Sequence, residues 1–185
     1  MKQHQSWKQI SRKTVYNTPH LRVHEDTVQL PNGSVVDDYS IVEFNDVIMC
    51  VVTDPNDNVI MLQEYRYAVD ETMWNLPAGS MKRGTEELVA AARRELREET
   101  GYDSADVTMV GELHDYPTKA PHIVHVFRIR NAVPTTQPDH EETEHLRVVL
   151  VRPEELKKLV FENQIKTTSV VSAVVLAMPE LFGKS

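Results

Sequence analysis

Alternating apolar and polar residues predict that the chain begins with antiparallel strands. Short alternations at residues 21–24 and 27–30 precede the turn Pro31-Asn32-Gly33, and a third at residues 35–44 follows it. Asn-Gly between alternating segments is typical of a β-hairpin, because the tight turn of a hairpin needs residues that accept positive φ angles. Residues 1–19 are polar and show no period, which indicates an irregular N-terminal arm.

A second hairpin is expected from residues 47–53 and 59–67, joined by a turn at residues 54–58. Further strands are predicted at residues 107–113, 123–130 and 146–151. Helices are predicted at residues 86–100, 153–163 and 168–181, with a polar, acidic loop at residues 132–145. The predicted order, with strands first, one central helix and further helices at the end, favours an α+β sandwich over a doubly wound sheet.

Composition and charge narrow the class of protein. A length of 185 residues fits one domain, and the net charge of −8 argues against a protein that coats nucleic acid, since that task needs a positive surface. Cys50 is the single cysteine, so an intrachain disulfide is excluded. It lies in an apolar strand, which favours a buried side chain over a catalytic thiol. Residues 1–13 have no apolar core, and no apolar run approaches the ~20 residues of a membrane span, so a cytoplasmic location is expected.

The clearest predicted element is the helix at residues 86–100. Thr85 is expected at its N-cap, because a hydroxyl there accepts a hydrogen bond from the unpaired N–H groups of the first turn. Gly101 is expected to end the helix, since glycine adopts the left-handed conformation that closes many helices.

One face of this helix is acidic. Glu95, Glu98 and Glu99 stand at positions i, i+3 and i+4, within an arc of roughly 100°. Like-charge neighbours destabilise an isolated helix by about 0.2–0.5 kcal/mol per pair, and a bound divalent cation with hard oxygen ligands would remove that conflict. The alternative is a solvated, salt-bridged helix, since Arg94 and Glu98 form an i,i+4 pair of opposite sign.

The sequence around the helix resembles the Nudix box, G-x5-E-x7-R-E-U-x-E-E-x-G-U, in which U is apolar. From Glu86 to Tyr102 every defined position of the box is matched. Six residues instead of five separate Gly79 from Glu86. One extra residue in the loop at 81–85 is favoured over Ser80 in place of the glycine, because loops tolerate insertions.

Motifs outside the box are similar to those of the ADP-ribose pyrophosphatase branch of the family. They are Leu30-Pro31-Asn32-Gly33, Gln63-Glu64-Tyr65-Arg66, Trp74-Asn75-Leu76-Pro77-Ala78-Gly79, Tyr116-Pro117, His125-Val126-Phe127 and residues 142–148. The resemblance implies a Nudix-type α/β/α sandwich with a mixed sheet, preceded by an N-terminal antiparallel β region. It further implies that residues 1–45, the arm and hairpin region, take part in a homodimer and that residues 46–185 form the hydrolase domain.

The resemblance also implies a metal site on the acidic helix. Glu95 and Glu99 are the expected ligands, and the carbonyl of Ala78 is another. Glu98 is expected either as a further ligand or as a residue that contacts the ligands, and it is also counted among the catalytic residues. The expected cofactor is Mg²⁺, with Mn²⁺ as the alternative.

A general base is then needed from elsewhere, and the acidic loop offers Asp139, Glu141, Glu142 and Glu144. Glu144 is the first choice and Glu142 the second, by their match to the family's pattern before the strand that begins at Leu146. The alternative for each residue is an ordinary solvated carboxylate.

Three residues are candidates for substrate binding. Arg66 corresponds to an arginine that contacts phosphates in this branch, and its alternative is a surface arginine. Trp74 is a candidate for stacking on the base, although packing in the core is the favoured interpretation. Asn75 departs from the family, which generally has glutamate there, so either a neighbour compensates or the preferred substrate is not ADP-ribose.

The predicted function is Mg²⁺-dependent hydrolysis of ADP-ribose to AMP and ribose 5-phosphate. The nearest alternative is another nucleotide-sugar pyrophosphatase, for example one that acts on GDP-mannose. An alternative from another class is a Nudix-fold module that senses a nucleotide without cleaving it. The expected partners are a small-molecule nucleoside diphosphate and a second copy of the chain, with no nucleic acid and no membrane.

Overall fold

The computed structural model describes residues 6–81, 84, 86–139 and 146–183. The chain divides into two compact units. The first is the N-terminal segment that ends at Asn45 together with His114–His122. The second begins at Asp46 and continues, without that insertion, towards the C-terminus. The predicted functional division into residues 1–45 and 46–185 stays a prediction.

The first unit contains one antiparallel sheet in the order β1-β2-β3, formed by β1 (Lys8–Asn17), β2 (Arg22–Gln29) and β3 (Val35–Glu43). The predicted hairpin between β2 and β3 is confirmed, and its turn contains Gly33 at φ 88°. Leu30 N–H donates to the carbonyl of Ser34 across this turn at 2.8 Å.

The prediction of an irregular arm at residues 1–19 is wrong from Lys8 onward, because β1 pairs with β2 along its whole length. All ten side chains of β1 are exposed, and its apolar residues Ile10, Val15 and Tyr16 do not alternate with polar ones, so the sequence shows no strand period. Main-chain hydrogen bonds to β2 form it instead, helped by an ion pair of 2.7 Å between Arg12 and the buried Asp26.

The second unit contains nine strands and three helices among its described residues. The strands are β4 (Asp46–Val52), β5 (Val59–Arg66), β6 (Glu71–Asn75), β7 (Ala78–Met81), β8 (Tyr102–Asp103), β9 (Asp106–Leu113), β10 (Val124–Arg130), β11 (Val133–Pro134) and β12 (Leu146–Val151). The helices are α1 (Leu88–Thr100), α2 (Pro153–Phe161) and α3 (Thr168–Ala177), followed by a 3₁₀ turn at Pro179–Leu181.

These strands form a mixed sheet and an antiparallel sheet. The mixed sheet has the order β7-β4-β10-β9, in which β4 and β10 run parallel and the other pairs antiparallel. The antiparallel sheet has the order β12-β5-β6, and β11 pairs with β8 in a small ribbon.

The predicted second hairpin is wrong. Apart from one bridge between Thr53 and Val59, β4 and β5 do not pair with each other and lie in different sheets. Residues of β4 and the first half of β5 are almost all buried, on both faces of each strand. A strand that is apolar on both faces suits a central position between two neighbours better than one arm of a hairpin.

Two apolar clusters lie on opposite faces of the sheets. Met49 and Val51 of β4 pack in a cluster with α2 and α3, whereas Ile48 and Cys50 pack in a cluster with α1. Helices therefore cover both faces, and the predicted α+β sandwich with a mixed sheet is confirmed. Cys50 is fully buried, as predicted, and burial together with the nearby Glu99 and Glu95 raises the pKa of its thiol.

The helix boundaries differ in detail from those expected. Helix α1 begins at Leu88 with Glu87 at its N-cap, two residues later than predicted, and Thr85 lies outside the described residues. Gly101 ends α1 at φ 76° as predicted, with its N–H bonded to the carbonyl of Arg97 at 2.8 Å. Helix α3 ends at Ala177 instead of residue 181, because Pro179 supplies no N–H to continue it.

Among the described residues, no helix has the length and apolar character that crossing a bilayer requires.

Candidate active site

Helix α1 is fixed against the sheets before its acidic face is considered. Its Leu96 is fully buried in the cluster that contains Cys50. Arg93, in the middle of α1, donates two hydrogen bonds of 2.9 and 2.8 Å to Asp103, and Arg97, in its last turn, adds a third of 3.2 Å. The Arg93 guanidinium is the main reason that the pKa of Asp103 is lowered. These contacts set both the position and the rotation of the helix.

The rotation brings Glu95 and Glu99 against the backbone of β7. Both residues are buried, with 8% of their surface exposed. Ala78 N–H donates a hydrogen bond of 2.8 Å to Glu99 Oε2. A Cβ atom at Gly79 would lie 2.0 Å from Glu95 Oε2, so the absence of a side chain is what allows the close approach. The two predicted ligands are therefore brought together with Ala78, the third predicted ligand.

Glu98 lies at the outer edge of this group, with 45% of its side chain exposed. Arg94 contacts it at 2.8 Å and also contacts Glu95 at 2.8 Å and Glu86 at 3.1 Å. These carboxylates, Glu86 foremost, raise the pKa of Arg94. The Glu86 contact was not predicted, because Glu86 precedes α1 and helical spacing therefore does not relate it to Arg94.

The donor set fits a hard divalent cation. Three carboxylates share one face of α1, and two of them are buried beside strand β7, where Gly79 leaves no room for a side chain. Among the described residues, no three acidic, histidine or cysteine side chains already converge on one point, and Glu98 is turned to Arg94. Glu95 and Glu99, with Glu98 and the carbonyl of Ala78, are the groups that would hold the ion.

A second polar cluster lies on one face of β5 and β6 and consists of Glu64, Arg66 and Asn75. Glu64 Oε2 accepts a hydrogen bond of 2.9 Å from Asn75 Nδ2 and forms an ion pair of 2.7 Å with Arg66. Asn75 Oδ1 accepts the N–H of Leu76 at 3.0 Å. The neighbouring carboxylate of Glu64 thus lies beside the amide that departs from the family pattern.

Glu64 belongs to the motif Gln63-Glu64-Tyr65-Arg66, but no role was predicted for it. The available signal was its spacing from Arg66, because residues i and i+2 of a strand share a face. The contact with Asn75 depends on the register of β5 against β6, in which Leu62 pairs with Asn75. That register cannot be obtained from local spacing.

Trp74 lies on the other face of β6. It is partly buried and packs against the cluster that contains Met49 and Val51, on the side of α2 and α3. These are the contacts of the core-packing interpretation, and a stacking role for Trp74 stays a prediction.

The acidic loop is described up to Asp139 and again from Leu146. Asp139 N–H donates to the carbonyl of Glu98 at 2.8 Å, and Thr135 N–H donates to the carbonyl of Gly101 at 2.8 Å. At the other end, Leu146 pairs with Glu64. The candidate bases Glu141, Glu142 and Glu144 lie outside the described residues, but the residues on either side of that segment contact α1 and the Glu64 strand.

Comparison with protein families identifies two matched regions. A model described as NUDIX domain matches residues 43–169. A model described as nucleoside diphosphate sugar hydrolase N-terminal domain matches residues 7–42. Together they cover both units of the chain.

Three relatives are similar over much of their length. An ADP-ribose pyrophosphatase of Bacillus subtilis is 29% identical over 90% of this chain and 90% of its own. An ADP-ribose pyrophosphatase of Mycobacterium tuberculosis is 28% identical over 73% of this chain and 66% of its own. A methanol dehydrogenase activator of Bacillus methanolicus is 24% identical over 90% of each chain.

A solved structure described as an ADP compounds hydrolase has the same fold. It superposes with a TM-score of 0.83 over 99% of this chain and 98% of its own, at 21% sequence identity. The α+β sandwich preceded by an antiparallel sheet is therefore a fold already known from a hydrolase.

The close approach of Gly79 to Glu95 generates a prediction about stability. Gly79→Ala is expected to reduce the free energy of unfolding by about 1–3 kcal/mol, because the new methyl group overlaps the carboxylate. Glu95→Ala should relieve the overlap, so the double variant should be more stable than the sum of the two single effects. Urea denaturation measures all of these values.

Gly111→Ala is the matched control, since a Cβ atom there would meet only the terminal methyl group of Leu176, at 3.1 Å. It should cost less than Gly79→Ala. Additive effects of Gly79→Ala and Glu95→Ala would contradict the contact.

Proposed function

The chain belongs to the Nudix family of hydrolases, and from this premise we propose that it hydrolyses the diphosphate group of a nucleoside diphosphate linked to a sugar. ADP-ribose, cleaved to AMP and ribose 5-phosphate, is the first candidate substrate. The observation that carries the proposal is the pair of buried carboxylates, Glu95 and Glu99, held against Ala78 and Gly79 in a chain that matches the Nudix model. The substrate class is supported by the N-terminal match and by two relatives named ADP-ribose pyrophosphatase.

Hydrolases of this family generally use divalent metal ions, and Mg²⁺ is the proposed cofactor, with Mn²⁺ as the alternative. Glu95, Glu99, Glu98 and the carbonyl of Ala78 would hold it. When bound, such an ion neutralises charge on the phosphate oxygens and makes a water molecule more acidic. Arg94 keeps Glu98 and Glu95 in place through its two contacts of 2.8 Å.

The remaining chemistry requires a group that binds phosphate and a group that accepts a proton. Arg66 is the proposed phosphate-binding residue, since its guanidinium is half exposed and has donors in addition to the one that faces Glu64. Glu144 is the proposed general base, with Glu142 as the second choice. The support is that Asp139, just before them, bonds to Glu98, while Leu146, just after them, pairs with Glu64.

Another nucleotide sugar, for example GDP-mannose, is the second candidate substrate. The neutral Asn75 supports it, because that residue differs from the glutamate of the ADP-ribose branch. A non-catalytic sensor is less well supported, because every carboxylate of the box is retained.

A homodimer formed through the first unit is also proposed. Strand β1 is an edge strand of its sheet, and its ten side chains are all exposed. Ile10 and Tyr16 are each more than half exposed. An exposed edge strand with large apolar side chains is a suitable surface for a second copy of the chain.

The substrate proposal predicts the outcome of an assay with a panel of diphosphates. ADP-ribose should have the highest kcat/KM, GDP-mannose a lower value and ADP the lowest, and turnover should depend on added Mg²⁺. The products are phosphate monoesters, and they are measured as the inorganic phosphate that an added phosphatase releases from them. Turnover of GDP-mannose without turnover of ADP-ribose would select the second candidate, and no turnover of any compound would contradict hydrolysis.

Glu99→Gln tests whether the buried carboxylates carry the reaction. Loss of this ligand should lower kcat/KM by more than about 100-fold, since even residues that only support metal ligands contribute 10- to 100-fold. Glu155→Gln changes an exposed glutamate of α2, and this control should leave kcat/KM unchanged. An unchanged rate for Glu99→Gln would overturn the site.

The assignment of the base predicts a difference between two neighbouring glutamates. Glu144→Gln should lower kcat by about 100-fold or more with little change in KM, because general bases contribute roughly 10²–10⁴-fold. Glu142→Gln should have a smaller effect on kcat. A larger loss in Glu142→Gln would transfer the role to Glu142, and full kcat in both variants would exclude a base in this pair.

The dimer proposal predicts a mass of twice the 21.2 kDa chain in sedimentation equilibrium. Ile10→Asp should shift the protein towards the monomer, because a charge in an apolar interface loses its water. Val175→Asp changes an exposed valine of α3 and should not alter the mass. A monomeric wild-type protein at the highest soluble concentration would refute the proposal.

A further inference from the structure

The cluster of Glu64, Arg66 and Asn75 has a definite order of contacts. Glu64 Oε2 lies 2.7 Å from an Arg66 guanidinium nitrogen and 2.9 Å from Asn75 Nδ2, so one carboxylate oxygen joins the other two side chains. We propose that Glu64 is a positioning residue that holds Arg66 in the orientation for binding the phosphate groups of the substrate. This inference rests on the proposed function.

The three side chains share a face because of strand geometry. Glu64 and Arg66 are two residues apart on β5, and Asn75 is paired with Leu62, which lies two residues before Glu64. Residues two apart on a strand, and residues directly opposite on a neighbouring strand, point to the same side of a sheet. The same face includes Ile60, which packs with α1, so the cluster lies on the side of the sheet that carries the acidic helix.

Exposure differs sharply between the two members of the ion pair. The Glu64 side chain is 12% exposed and the Arg66 side chain 50%. The carboxylate is therefore the fixed partner, while the guanidinium extends into solvent, where a ligand can reach it. A guanidinium has five N–H donors, and the contact with Glu64 restricts its rotation without using all of them.

Asn75 fixes Glu64 from the other side. Its Oδ1 accepts the N–H of Leu76 at 3.0 Å, which directs its Nδ2 donor to Glu64. A second carboxylate at position 75 would lie next to Glu64 and repel it, because like charges at hydrogen-bond distance in a partly buried site destabilise each other. The neutral amide of Asn75 is thus the partner that the charge of Glu64 requires.

The cluster is also connected to the metal-binding side of the site. Asn75 is followed by Leu76 and Pro77, and the carbonyl of Pro77 accepts the N–H of Cys50 at 2.8 Å. The next residue, Ala78, donates to Glu99 at 2.8 Å. Glu64 therefore orients Arg66 relative to the same short segment that contacts the helix carboxylates.

The decisive experiment compares Glu64→Gln with Glu71→Gln. Both glutamates lie on the β5-β6 sheet, and Glu71 pairs with the exposed Lys166. Glu64→Gln should raise KM for the best substrate by about three- to tenfold with kcat within about twofold, since a partly exposed charge-assisted contact has a modest effect. Glu71→Gln should change neither value, and the two variants should have similar melting temperatures.

A double-variant cycle separates positioning from a general structural effect. In Arg66→Ala, the further change Glu64→Gln should not raise KM any more, because there is no guanidinium left to orient. An equal rise in KM with and without Arg66 would overturn the proposal. So would a Glu64→Gln variant that matches Glu71→Gln, or one that loses kcat at constant KM.

Exchanging the carboxylate of Glu64 and the amide of Asn75 tests whether the pairing of the two positions can be restored. Asn75→Glu alone should raise KM and lower the melting temperature, since it places two carboxylates together. Glu64→Gln combined with Asn75→Glu restores one carboxylate and one amide, and should recover at least half of the loss in melting temperature. No recovery would contradict the proposed pairing.

A binding measurement keeps this inference separate from the proposed function. If the wild-type protein turns over no diphosphate, the proposed function fails, and calorimetry with ADP then decides about Glu64. A Kd that is weakened three- to tenfold in Glu64→Gln and unchanged in Glu71→Gln supports positioning. Equal Kd values in the two variants, or no binding of ADP by the wild-type protein, overturn it.

Discussion

The buried contact between two carboxylates and the backbone of β7 is the constraint on which the site depends. Glu95 and Glu99 carry like charges in a place where water cannot screen them well, and such burial is costly unless each charge has a partner. Glu99 has the N–H of Ala78, and Glu95 has Arg94. Because the hydrogen bond from Ala78 to Glu99 joins β7 to α1, a shift of either element would break it beside a buried carboxylate. The two carboxylates also act on Cys50: burial, and then the negative charges of Glu99 and Glu95, raise the pKa of its thiol.

The rest of the second unit keeps that contact in register. Strand β7 is held by pairing with β4, in which Met49 lies opposite Ala78 and Ile48 opposite Gly79. Helix α1 is held at Asp103 by two arginines and in the core by Leu96. Rigid elements therefore position both sides of the site, which is the arrangement that electrostatic catalysis needs, since preorganised groups lose little energy to reorientation.

Sequence reasoning succeeded where the determinants are local. The acidic face of α1 follows from a period of 3.6 residues, and Gly101 follows from the conformation that ends a helix. It failed where pairing between distant strands decides. Strand β1 has no apolar period and exists through its hydrogen bonds to β2, while β4 and β5 find partners in different sheets instead of each other. The contact between Glu64 and Asn75 was missed for the same reason, because it comes from strand register.

Asn75 stands where the family generally has glutamate, and the position of Glu64 changes how this difference is interpreted. Taken alone, an amide in place of a carboxylate removes one negative charge from position 75. In the folded chain, Glu64 lies 2.9 Å from that amide, so a carboxylate is still present beside residue 75 although it comes from the adjacent strand. The negative charge thus lies at position 64 instead of position 75, and the neutral amide at position 75 avoids the repulsion that a second carboxylate would cause. Asn75 and Arg66 both contact this carboxylate, so the loss of a charge at position 75 cannot be interpreted without Glu64.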